Sequence, residues 1–66
     1  YYANGYALNK KEKHREAIEI LETALDYMVG DISLANKIYT ELSTAHNAIS
    51  NPSKANMYLR KVKPGF

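Results

Sequence analysis

His14 and His46 are the side chains best suited to proton transfer or metal binding in this 66-residue chain, and no cysteine accompanies them. Neither has a second histidine or a carboxylate three or four residues away, the spacing that sets two metal ligands on one helix face. Carboxylates recur at Glu12, Glu16, Glu19, Glu22 and Asp26, steps of three and four. Two of them together would be the minimum for general acid–base work, but that spacing also describes the outer face of an amphipathic helix, where solvation and a pair such as Glu12 with Arg15 account for them. Three glycines at these positions form no phosphate loop, and no nucleophile elbow or Ser/His/Asp set can be assembled. The expectation is a chain with no catalytic residue, no metal site and no cofactor.

A second possible chemistry is phosphate binding. Lys10, Lys11, Lys13 and Arg15 form one basic cluster, and Arg60, Lys61 and Lys63 another. Both are also accounted for as polar turns and as cations at helix C-termini, where they complement the helix dipole. The net charge is only +2, with acids and bases interleaved through the first half. That balance argues against a dedicated nucleic-acid surface. No apolar run approaches the roughly 20 residues that span a bilayer, so no membrane segment is expected. The absence of cysteine leaves the compartment open. The chain begins at Tyr1 rather than methionine, which suggests a piece of a longer polypeptide.

The elements that would position these residues are helices. Ala17, Ile18, Leu21, Ala24, Leu25 and Met28 make one apolar stripe and predict a helix from Arg15 to Met28. Gly30-Asp31 breaks it, glycine suiting the left-handed end of one helix and aspartate capping the next. Leu34, Ala35, Ile38, Tyr39, Leu42, Ala45 and Ile49 then predict a helix of some five turns ending near Ile49. Asn51-Pro52 is a stop and restart, with proline at the first helical position, and Pro64-Gly65 ends the helix carried by Ala55, Tyr58, Leu59 and Val62. A further helix over Tyr1–Lys10 is weakened by Asn4 and Gly5, and Lys11–His14 forms a polar link. The whole is all-α, a single domain over residues 1–66 made of two antiparallel αα-hairpins.

Laying Tyr39–Val62 over Tyr1–Ala24 pairs Tyr39 with Tyr1, Ser43 with Gly5, Ala55 with Ala17, Leu59 with Leu21 and Val62 with Ala24, at an offset of 38 residues. At these residues the chain resembles a tetratricopeptide repeat: an aromatic residue opening the first helix, a small residue four places on, and an alanine on the second helix packing into the gap. It departs from that pattern at Asn4, where leucine is usual, at Glu12, where the inter-helix turn usually has glycine, and at His46, where tyrosine is usual. The offset exceeds the usual period of about 34 and resembles a longer variant of the repeat found in cell-polarity adaptors. The resemblance implies a right-handed superhelical fragment, with one repeat over about residues 1–30 and a second over about 31–63.

The resemblance also implies function: a scaffold or adaptor whose first helices line a groove for a peptide or partner subunit. Carried onto matching positions, the groove residues are Tyr2, Tyr6, Asn9 and Lys10 in the first hairpin and Lys37, Thr40, Thr44 and Asn47 in the second. Tyr2 or Tyr6 packing against a preceding helix is the alternative. The lysine and asparagine clamp by which some members hold chaperone C-termini is not reproduced, because Tyr2, Tyr6, Thr40 and Thr44 occupy the key sites. Other readings are a small regulatory domain binding nucleic acid through basic helix ends, and a trafficking-type helical bundle. Two repeats are fewer than usually stand alone, so self-association or further repeats are expected.

Overall fold

The computed structural model describes residues 2–27 and 30–62. It contains α1 (Tyr2–Lys10), α2 (His14–Asp26), α3 (Ile32–Ala48) and α4 (Pro52–Lys61), and no strand among the described residues. The all-α class and the two hairpins follow directly. The expectations placed on Tyr1, Met28, Lys63 and Pro64-Gly65 fall outside the described residues.

Each boundary has a local cause. The Asp31 carboxylate accepts the Leu34 N–H at 2.9 Å and caps α3, and Asn51 accepts from the Lys54 N–H at 3.5 Å with Pro52 in the first turn of α4. Helix α2 stops earlier than its stripe suggests. Tyr27 is its C-cap, with its N–H shared between the Ala24 and Leu25 carbonyls, and Gly30 takes a left-handed φ of 75° only three residues later. Tyr27 itself is 72% exposed. Helix α4 ends at Lys61, and Val62 is extended, ahead of the expected stop.

The turns α1–α2 and α3–α4 are the same structure repeated 38 residues apart. Glu12 and Ser50 both take φ 63°, in the left-handed region. Lys13 N–H donates to the Leu8 carbonyl at 2.8 Å and Glu12 N–H to that of Asn9 at 3.0 Å; Asn51 N–H donates to His46 at 2.8 Å and Ser50 N–H to Asn47 at 3.1 Å. This nested pair satisfies carbonyls that the helix end would leave orphaned.

Helix α3 is central and packs against all three others, while α1 also packs on α2. Ala17, Leu21 and Ala24 of α2 meet Ile38 and Leu42 of α3, with Tyr58 of α4 closing the core. Leu21, Ile38 and Leu42 are fully buried, each stabilising by about 1.5–3 kcal/mol through lost apolar exposure. Gly5 permits the α1–α2 approach: a Cβ there would run into Cγ and Cδ2 of Leu21. Ser43, 38 residues further on, is also buried.

Candidate functional site

Helices α1 and α3 run parallel, because each is antiparallel to α2, and they pack directly on one another. On α1, Tyr2, Tyr6 and Lys10 form a row at steps of four. The Tyr2 and Tyr6 rings lie 6.1 Å apart, and Lys10 Nζ stands 5.2 Å from the Tyr6 ring centre. The row is thus a pair of rings tilted 40° to one another and ending in a cation–π contact. Tyr2 is half-buried and Tyr6 is 41% exposed.

On α3, Lys37, Thr40, Thr44 and Asn47 are all exposed. The Thr40 hydroxyl donates to the Asn36 carbonyl at 2.8 Å, and the Thr44 hydroxyl to the Thr40 carbonyl at 3.1 Å. Their protons are held by their own helix, leaving oxygen lone pairs as the groups turned to solvent.

Asn9 differs from the other seven. It is 8% exposed, and its Nδ2 donates to the Glu41 carbonyl and to Glu41 Oε1, both at 3.1 Å, while Oδ1 lies 2.9 Å from His14 Nδ1. It ties α1, α2 and α3 together instead of facing solvent. The missed residue is Glu41. It sits between the two rows, bonded to Asn9 and close enough to Tyr2 that its charge, together with burial as the larger cause, pushes the Tyr2 hydroxyl pKa up. Glu41 lies four residues after Lys37 and three before Thr44, so helical spacing alone places it on their face.

The two histidines also find definite places. His14 opens α2 and is half-buried against Asn9. His46 is 4% exposed, with neither ring nitrogen meeting a hydrogen-bond partner, and it stacks on Tyr58 at 5.6 Å. Burial lowers its pKa. Tyr58 in turn donates to Glu22 Oε2 at 2.9 Å, so Glu22 is half-buried and bonded, not a solvated member of the acidic row. Burial first, then the Glu22 carboxylate, push Tyr58 up to about 12.

The basic clusters lie at opposite ends of the molecule. The two left-handed turns are neighbours, since Glu12, Lys13, Arg15 and Ile49 line one shallow cavity, whereas Arg60 and Lys61 line another with Ile32 and Tyr39. Among the described residues, no group of three or more His, Asp and Glu side chains could hold a common metal ion, and no helix is long and apolar enough to cross a membrane. No protein-family model matches the chain, and no curated protein or solved structure matches it significantly.

Proposed function

We propose that the chain is a protein-interaction module that works by binding, through the exposed face of α1 and α3, and has no catalytic role of its own. The observation that carries this reading is the pair of parallel rows, Tyr2-Tyr6-Lys10 and Lys37-Thr40-Thr44-Asn47, flanking Glu41. Tyrosine supplies large contact area at small conformational-entropy cost, and the threonine oxygens and lysines supply polar register for an extended peptide or a partner helix. The hairpin turns repeated at 38 residues and the close approach at Gly5 support a tetratricopeptide-like origin for the two first helices that form this face. The exposed Leu59 on α4, 48% accessible, supports a further helix packing there in the assembled protein.

The separation of the basic clusters to opposite ends favours peptide over nucleic acid, because it divides the phosphate contacts they could make between two distant surfaces. The test is selection of twelve-residue peptides from a random library on the immobilised chain. Enriched peptides should bind about tenfold more weakly to a Tyr6→Ser/Thr44→Lys variant. Enriched peptides that bind this variant as well as the parent would refute the reading, as would salt-sensitive binding of random DNA or RNA in place of any peptide.

A further inference from the structure

Helix α3 has 17 residues and its hairpin partner α4 only 10. The last turn of α4 reaches only as far as Tyr39, on whose ring Tyr58 stacks at 6.1 Å. From Tyr39 back to Ile32, α3 continues past its partner for two turns, about 10 Å of helix. Ile32, Ala35 and Tyr39 recur at helical spacing along this overhang, and Ile32 is 54% exposed. With Arg60 and Lys61 of α4 they enclose a cleft of about 420 Å³.

We propose that this cleft docks an acidic peptide segment with an apolar centre. The charge balance supplies the argument. Helix α4 carries Lys54, Arg60 and Lys61 and no acid, and no carboxylate is among the cleft's described lining residues. The nearest acid in sequence, Asp31, already accepts the Leu34 N–H. Cations in a last turn complement the helix dipole wherever they occur, but that role needs no apolar wall opposite them. Here the wall is present, and its length suits three or four extended residues. An apolar anchor would lie on Ile32, Ala35 and Tyr39, while its flanking carboxylates pair with Arg60 and Lys61. The volume is within the range of sites that hold small ligands. This surface lies at the open end of the second hairpin and is independent of the α1–α3 face.

The experiment is a titration of the ¹⁵N-labelled chain with the capped peptide acetyl-Asp-Glu-Leu-Phe-Asp-Glu-amide, followed by amide shifts. Expected are saturable shifts at Ile32, Ala35, Tyr39, Arg60 and Lys61. Affinity should fall about tenfold in Arg60→Glu/Lys61→Glu and should fall again when serines replace the peptide's Leu-Phe. Ile32→Ser, at an exposed first-turn position, should weaken binding without changing the melt. No saturable shift, equal binding of a peptide with lysines in place of its acids, or shifts centred on Tyr6 and Lys37 would each overturn the proposal. So would a dimer in sedimentation that Arg60→Glu/Lys61→Glu dissolves, because the occupant would then be a second copy of the chain.

Discussion

His46 shows most clearly how burial turns a side chain into a pH-dependent stability element. Its neutral ring fills space between α3 and Tyr58, and neither nitrogen has a partner to hold a proton. Burial lowers its folded pKa below the usual value of about 6.5, with Lys54 adding to the shift and Glu22 opposing it. The unfolded chain therefore binds the proton more readily than the folded one. This stability contribution is complete above the unfolded pKa and is lost as pH falls through about 6.5 towards the folded value. His46→Leu, which copies Leu8 at the equivalent position, should remove much of the drop in melting temperature between pH 7.5 and 5. An unchanged drop would show that His46 is not its source. At the alkaline end Tyr58 has the opposite sign: its pKa is raised to about 12, so its contribution is lost as pH rises from about 10 through 12. Tyr58→Phe should cost about 0.5–1.5 kcal/mol near neutrality through the lost bond to Glu22, measured by urea unfolding.

Gly5 belongs to the same scale. Replacing it with alanine would gain up to about 1 kcal/mol of helix propensity. The new Cβ, however, meets Leu21, which is fully buried and has no room to retreat. Overpacking costs about 1–3 kcal/mol, so the packing term wins and Gly5→Ala is expected to destabilise. Urea unfolding that showed it to be neutral or stabilising would mean that the two helices can separate without loss.

At the scale of elements, the two hairpin turns store the most readily tested strain. Glu12 and Ser50 hold left-handed backbone without being glycine, which costs about 1–2 kcal/mol each. Glu12→Gly and Ser50→Gly should each raise stability by about 0.5–1 kcal/mol after the greater unfolded-state freedom of glycine is subtracted. A loss of stability in thermal unfolding would mean that the side chains contribute contacts outweighing the strain. These turns also mark what sequence could and could not reveal. Asp31 and Asn51-Pro52 are readable because their chemistry is local: a carboxylate or amide three residues from an amide, and a proline at a position without need of its N–H. The apolar stripe of α2 and the long run of α3 are readable because period reports burial. The left-handed turns carry no glycine to announce them, and the inward turn of Asn9 depends on Glu41, 32 residues away. Long-range partnerships of that kind lie beyond any local pattern, so seven of the eight expected contact positions lie on exposed or half-buried surface and the eighth, Asn9, is a structural tie.

At the scale of the whole molecule, the two hairpins differ because their surroundings differ. Leu21 is wholly buried under α1 and α3, whereas its counterpart Leu59 is 48% exposed on α4. Asn4 on α1 is exposed, and its counterpart Leu42 is wholly buried. Leu21 lies on α2, which packs on both α1 and α3, whereas Leu59 lies on α4, whose backbone comes close to that of α3 alone among the described helices. Leu21→Ala should therefore cost about 2–5 kcal/mol, while Leu59→Ala should stay within about 0.5 kcal/mol in the isolated chain. Equal costs would mean that the two positions share an environment. The same asymmetry leaves the α1–α3 face as the broad surface built from both hairpins, with Glu41 between its aromatic and hydroxyl rows. The most direct test of the interaction reading is an amide-shift titration of the ¹⁵N-labelled chain with a peptide selected on it. Shifts should gather at Tyr2, Tyr6, Lys10, Lys37, Thr40, Thr44 and Asn47. Shifts confined to Glu16, Glu19 and Thr23 on the outer face of α2 would contradict it.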